Sequence, residues 1–371
     1  MNKKITVLPG DGIGPEVIAQ AIKVIHALEK KINFKFELQE ELIGGAAMDQ
    51  GLEPLPENTL KSCTQADAIL FGAIGDPKYD QDPDQKIRPD QGLLQLRKTL
   101  GLYANIRPIA AYRKLHALSP LKEEQIQQVN LIIYRELTGG LYFGKKEMDP
   151  DGQWARDECY YHRDEIEKVA HLAFKHARLR RKKLTLVDKA NVLETGKLWR
   201  ATVRELQRST YPDIELDLMY IDNAAMQLVL NPRQFDIILT ENMFGDILSD
   251  EASVIVGTIG LLPSASYSET QALFEPIHGS YPQAAGRNIA NPLATILATA
   301  MMLDYFDMDM EAKLVRDAVD FVITEGLGTM DLAPKTKISC SLMGDFVADL
   351  ILAEKSEWPM SRKNLQEKLS N

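Results

Sequence analysis

Short β-rich runs alternate with amphipathic stretches of helical period along most of this chain, and that alternation constrains its fold more than any other feature. Residues 5–8, 34–38, 68–73, 129–136, 183–188, 216–221 and 237–240 read as strands; 15–30, 163–178, 194–209 and 244–256 read as helices between them. Such a pattern dictates helices layered on a partly parallel sheet, an α/β architecture. A length of 371 residues allows two domains or one large unit. Helices dominate from 291 to 353, after a stretch around 262–288 that reads as loop. No repeat or low-complexity linker is present, so two domains would be interleaved rather than strung together. The charged tail, 354–371, is expected to add little to function.

The formal net charge of −10 argues against a nucleic-acid or membrane-surface binder, since both need a basic face. The apolar run 5–8 is too short for a signal-peptide core. The longest weakly polar stretch, 292–303, falls short of the roughly 18 residues a membrane span needs. Cys63, Cys159 and Cys340 are far apart, odd in number and without metal-type spacing. They read as reduced thiols, and a cytoplasmic location is expected.

Gly10-Asp11-Gly12-Ile13-Gly14-Pro15-Glu16 joins the first strand to the first helix. Glycines there would let backbone N–H groups face a phosphate. Pro15 stands where a dinucleotide motif has its third glycine, however, and proline at a first helical turn is ordinary helix chemistry. Taken alone, the loop reads as a tight strand–helix turn.

The run Asn242-Met243-Phe244-Gly245-Asp246-Ile247-Leu248-Ser249-Asp250 says more. Asp246 and Asp250 lie four apart on a helix, so both carboxylates leave one face within reach of a single ion. Oxygen-only ligands point to Mg²⁺ or Mn²⁺ rather than zinc. A solvated acidic face is the plain alternative; the apolar neighbours and Gly245 favour the metal.

Arg97, Arg107 and Arg135 each stand near the end of an expected element. Guanidinium groups hold carboxylates bidentately, so three converging arginines would suit a dicarboxylate. Tyr142 lies in the glycine-flanked loop Thr138-Gly139-Gly140-Leu141-Tyr142-Phe143-Gly144, directly after a buried strand. Lys189 closes another strand, where α/β sheets place chemistry. Beside carboxylates and a metal, its pKa can be tuned for proton transfer. Surface and packing roles compete at each of these positions.

Together these segments resemble the isocitrate and isopropylmalate dehydrogenase family, from about Lys3 to about Leu352. The carrying motifs are Leu8–Glu16, Arg135-Glu136-Leu137-Thr138-Gly139-Gly140, Asp188-Lys189-Ala190-Asn191-Val192, the Asn242–Asp250 run, and Glu275-Pro276-Ile277-His278-Gly279-Ser280. The resemblance implies a two-domain α/β fold that is not a standard Rossmann fold. Residues 1–102 plus 257–371 would form a discontinuous cofactor-side domain, and 103–256 a domain carrying the dimer interface, metal and substrate. It implies a homodimer whose active sites are shared between subunits. Arg97, Arg107 and Arg135 would clamp the malate part of the substrate. Asp246 and Asp250 would hold Mg²⁺ or Mn²⁺ together with Asp222 of the partner subunit, and Asp222 would also face substrate. Lys189 of the partner subunit would assist removal of the hydroxyl proton, and Tyr142 would protonate the carbon left after decarboxylation. Ile13, Gly75, Asp76, Asp90, Glu275, His278, Gly279, Ser280, Gln283 and Asn291 would line the nicotinamide cofactor.

The activity so implied is NAD-linked oxidative decarboxylation of a 2-hydroxy acid. Leu93 and Leu94, one turn before Arg97, would select the substrate, with helix packing the plain alternative at either leucine. Family members acting on isocitrate meet an extra carboxylate here with hydroxyl or amide side chains. Two leucines cannot hydrogen-bond a carboxylate, and burying that charge unpaired would cost several kcal/mol. They would favour an isopropyl group, at roughly 1–3 kcal/mol per well-buried methyl-sized increment. The expected reaction takes 3-isopropylmalate to 4-methyl-2-oxopentanoate and CO₂, a leucine-biosynthesis step. A relative acting on tartrate, malate or homoisocitrate is the alternative. Gln283 stands where NAD-using members commonly carry an acid, and glutamine does not repel a 2′-phosphate. NAD is still expected, because no Lys-Tyr pair of the NADP-dependent kind stands there. Asp90 replaces a longer Glu and Asp76 a Gly, both near the nicotinamide end.

Overall fold

The computed structural model describes residues 2–32, 34–79, 87–361 and 363. Part of the charged tail, 364–371, therefore lies outside the described residues. The chain divides into two compact units: Met1–Leu100, Thr258–Ala265 and Thr270–Asn371 form one, and Gly101–Gly257 with Ser266–Glu269 the other.

The first unit opens with strand β1 (Lys3–Gly10), helix α1 (Gly14–Ile32), β2 (Phe36–Glu40), β3 (Ala68–Ala73) and α2 (Asp90–Thr99). Into the second fall β4 (Ala104–Ala110), β5 (Asn130–Glu136), α3 (Arg163–Arg178), β6 (Lys183–Asp188), α4 (Glu194–Thr210), β7 (Glu215–Tyr220), α5 (Ile221–Leu230), β8 (Ile237–Thr240) and α6 (Asn242–Val256). After them come β9 (Pro263–Tyr267), β10 (Ala272–Pro276), α7 (Leu293–Tyr305), α8 (Asp309–Thr324) and α9 (Cys340–Leu352).

In the first unit β1 pairs in parallel with both β2 and β3, and β3 with β10. Every residue of β3 is buried, as a strand covered on both faces requires. Helix α7 is buried without interruption from Leu293 to Leu303. This is the weakly polar stretch of the sequence, and it is apolar all round because it is an interior helix. Among the described residues no helix is long and apolar enough to cross a membrane. Cys63, Cys159 and Cys340 are free thiols.

In the second unit β4 and β5 run antiparallel; β5, β8, β6 and β7 follow in that order, all parallel. Helix α6 packs over β5 and β4. That packing is close because Gly245 has no side chain: a Cβ there would lie 2.6 Å from Cβ and Cγ of Arg135.

Two expectations fail. The segment read as loop around 262–288 contains β9 and β10, both almost wholly buried. Their sequences, PSASY and ALFEP, lack the β-branched run that marks a strand, and each has a proline at one end. Strand β4 went unread as well, because Arg107 and Pro108 interrupt its apolar pattern. Arg107 thus stands within a strand instead of at an element's end.

Candidate active site

Helix α6 gathers five of the expected residues within the second unit. Arg135, the penultimate residue of β5, donates from Nη1 to Asp246 Oδ1 and from Nε to Asn242 Oδ1 (2.9 Å). Tyr142 donates to the other oxygen of Asp246 at 2.9 Å, and the Arg135 guanidinium carbon lies 5.7 Å from the Tyr142 ring centroid. From β4, Arg107 donates through Nη1 to Ser249 Oγ (2.6 Å) and Asp250 Oδ1 (3.2 Å), and through Nε to Asn105 Oδ1 (2.8 Å). Two arginines and two carboxylates alternate along one helix face, an arrangement that can take a bound carboxylate and a cation side by side. Partial burial and the Asp246 hydrogen bond hold the Tyr142 hydroxyl above its ordinary pKa, so it stays protonated as an acid must.

The loop bearing Tyr142 is tightly held. Glu136, fully buried, accepts from Thr138 N (2.5 Å), Thr138 Oγ1 and Gly139 N (2.9 Å). Burial raises its pKa despite these bonds. Glu241, the residue before α6, is also buried, and burial followed by repulsion from Glu136 pushes its pKa up to about 7.

Lys189 and Asp222 form a separate pair. Lys189 follows β6 directly and donates to Asp222 Oδ1 at 2.7 Å; that bond lowers the aspartate's pKa. Buried Asp188 fixes the turn by accepting from Ala190 N (2.9 Å) and from Arg200 Nε (2.8 Å) and Nη2 (2.7 Å).

The remaining expected residues belong to the first unit. The Gly10–Gly14 loop already holds an anion of its own: the Asp11 carboxylate accepts from the backbone N–H groups of Gly45 (2.9 Å), Ala46 (2.7 Å) and Gly75 (2.8 Å). Gly12, at φ +59, passes so near Ser280 that a Cβ would sit 2.0 Å from its carbonyl oxygen, and Ile13 N donates to that same oxygen at 2.8 Å. The tight-turn reading of this loop therefore holds, and the turn's task is to seat the 275–280 segment. Gly75, Asp90 and Ser280 come together there: a Cβ on Gly75 would lie 3.6 Å from Asp90 Oδ1 and 3.7 Å from Ser280 Oγ. Asp76 pairs with Lys78 (3.1 Å). Arg97 Nη2 donates to Glu275 Oε1 at 2.6 Å, while its Nε is buried without a partner. Leu94 is exposed, whereas Leu93 is buried, so Leu94 is the one open to a ligand and Leu93 serves packing. Gln283 and Gly279 are exposed, and Arg287 Nη1 approaches the Gln283 carbonyl (3.4 Å). The Asn291 amide is spent locally, accepting from Leu293 N (3.0 Å) and donating to Asp331 Oδ2 (2.9 Å). Sequence reasoning missed Asn105, Glu241, Asn242 and Ser249; only position within the Asn242–Asp250 run could have flagged any of them.

Two absent groups can be tested against these residues. Asp246 and Asp250 offer all-oxygen donors suited to Mg²⁺ or Mn²⁺. Among the described residues no group of three or more His, Cys, Asp or Glu that could hold a metal ion comes together. For a dinucleotide, His278 is informative: its Nδ1 lies 3.0 Å from the Gly279 carbonyl oxygen, and its Nε2 is buried with no partner. Desolvation lowers its pKa, so the ring is neutral and can hydrogen-bond a heterocycle or ribose. Both groups fit.

A profile of the isocitrate/isopropylmalate dehydrogenase family matches residues 4–347, and the chain belongs to that family. It is 52% identical over 356 residues to the 3-isopropylmalate dehydrogenase of Carboxydothermus hydrogenoformans, covering 94% of this chain and 95% of the relative. It is 51% identical over 345 residues to the enzyme of that name from Bacillus subtilis, covering 91% and 94%. The crystal structure of isocitrate dehydrogenase from Methylococcus capsulatus superposes with a TM-score of 0.82 at 34% identity, covering 95% of this chain and 100% of that one.

Proposed function

We propose that the chain oxidises and decarboxylates 3-isopropylmalate to 4-methyl-2-oxopentanoate and CO₂ with NAD as hydride acceptor, a step of leucine biosynthesis. The observation that carries this reading is the α6 face, where Arg107, Arg135, Tyr142, Asp246 and Asp250 meet in a chain about half identical to enzymes bearing that name.

Arg97, Arg107 and Arg135 would bind the substrate's carboxylates and orient its C2 hydrogen, and NAD, when bound, would supply the hydride acceptor. Asp246 and Asp250, with Asp222 of the partner subunit, would hold Mg²⁺ or Mn²⁺. When bound, the cation supplies Lewis-acid stabilisation of the negative charge that develops as CO₂ departs. Lys189 of the partner subunit takes the hydroxyl proton, and Tyr142 delivers a proton to the carbon left behind. Positioned acid–base groups of this kind contribute about 10²–10⁴-fold in rate.

A homodimer is part of the proposal. Within the second unit α5 exposes Met226, Val229 and Leu230, and α6 exposes Ile247 and Val254. Such apolar residues on neighbouring helices suit burial against a second copy. Turnover of 3-isopropylmalate, malate, tartrate and isocitrate, compared at equal metal with NAD and with NADP, tests the reading. Preference for 3-isopropylmalate with NAD supports it, and preference for any other pair overturns it.

A further inference from the structure

Asn242 opens α6 and is fully buried, although none of the roles above uses it. Three of its polar groups go to three different pieces of the second unit. The backbone N–H donates to the Tyr161 hydroxyl at 3.0 Å. Oδ1 accepts from Arg135 Nε at 2.9 Å, and Nδ2 donates to the Gly139 carbonyl at 3.2 Å. Gly139 begins the turn that ends at Tyr142. That turn rests on the Tyr161 ring so closely that a Cβ on Gly139 would sit 2.7 Å from Tyr161 Cε1. The amide therefore joins the end of β5 to the start of the tyrosine turn, and its backbone fixes the ring beneath that turn.

We infer that Asn242 is a positioning residue that sets Arg135 and Tyr142 in register on either side of Asp246. Only an amide offers an acceptor to Arg135 and a donor to Gly139 from the same side-chain plane. The two groups it aligns meet on one carboxylate, Arg135 at Oδ1 and Tyr142 at Oδ2 of Asp246. A shift in either would misplace the carboxylate grip or the proton donor by a fraction of an ångström, enough to cost rate. This inference rests on the roles given to Arg135 and Tyr142 under the proposed function.

The two halves of the amide can be separated. Asn242→Asp keeps the acceptor for Arg135 but turns an oxygen toward the Gly139 carbonyl, so only the tyrosine turn is disturbed. Asn242→Leu keeps the approximate volume and loses both bonds. Steady-state kinetics with 3-isopropylmalate and NAD should show kcat of Asn242→Asp down about tenfold, with KM for the hydroxy acid within about threefold of wild type. Asn242→Leu should lose about tenfold in kcat and raise that KM about tenfold as well. KM for NAD should not move in either variant, which general loosening of the fold would not spare. Both variants within about twofold of wild type in kcat and hydroxy-acid KM, or a parallel rise in both KM values, would overturn the role of Asn242. If Asn242→Leu melts below assay temperature, Asn242→Asp decides alone: lower kcat at unchanged hydroxy-acid KM supports the role, and unchanged kcat overturns it. An inactive wild type would instead overturn the functional reading on which the role depends.

Discussion

Tyr142 donates a 2.9 Å hydrogen bond to Asp246, so the proposed acid and one carboxylate of the proposed metal pair are held by a single contact. Asp246 takes Arg135 on its other oxygen. A change at Asp246 thus reaches Arg135 and Tyr142, the proposed substrate ligand and proton donor, together.

Asp246→Asn keeps the shape and a hydrogen-bond acceptor but removes the charge. Decarboxylation should fall by at least about 10³-fold, with the fold preserved by circular dichroism. An unchanged rate of CO₂ release would remove Asp246 from the mechanism.

Tyr142→Phe removes the proton donor and one hydrogen bond to Asp246. Overall turnover should drop about 10²–10⁴-fold with substrate KM little changed. A rise in KM at constant kcat would assign Tyr142 to binding instead.

Arg107→Lys keeps the charge but not the planar group that reaches Asn105 through Nε and Ser249 and Asp250 through Nη1. The specificity constant kcat/KM for 3-isopropylmalate should fall about 10- to 100-fold, mainly through KM. Equal activity in the lysine variant would show that a point charge suffices there.

The proposed sharing of sites between subunits predicts complementation. Lys189→Met and Tyr142→Phe homodimers should each be nearly inactive, while mixed dimers regain one site in which both residues are native. Native mass spectrometry of the mixture would identify the heterodimer, and its lack of activity would argue that each site belongs to one chain.

Glu241 links burial to pH. Its folded pKa, about 7, lies above the ordinary 4.5, so the folded state binds its proton more tightly than the unfolded state does. Stability attributable to Glu241 is therefore greatest below the unfolded value and declines as pH rises from about 4.5 to about 7. Glu241→Gln cannot ionise, so its stability relative to wild type should improve by about 1–3 kcal/mol between pH 5 and pH 8. Denaturant melts at both pH values would show it, and a constant difference would refute it.

Much of the architecture was legible because its strands and helices carry their period openly: β3, β6, β8 and α3 lie where their patterns placed them. Strands β4, β9 and β10 were not, since Pro108, Pro263 and Pro276 and small or charged residues conceal strands whose burial comes from their neighbours. For the site, helical spacing sufficed to put Asp246 and Asp250 on one face. The partners of those carboxylates were beyond reach, because Arg107, Arg135 and Tyr142 lie more than 100 residues away in sequence. Asn242 was marked only by its place at the head of the Asn242–Asp250 run; its bonds to Arg135 and Gly139 come from the fold. The Asp11 loop shows the converse case. There the glycine pattern read as a tight turn, and the loop's own N–H groups of Asp11, Ile13 and Gly14 go to the carbonyls of Ala73, Ser280 and Asp11.

Metal dependence is the centre of the account, and the formation of NADH from 3-isopropylmalate before and after complete removal of divalent ions tests it directly. Metal-free enzyme should lose at least about 100-fold in rate and regain it on addition of Mg²⁺ or Mn²⁺. Full turnover in the metal-free enzyme would contradict the account.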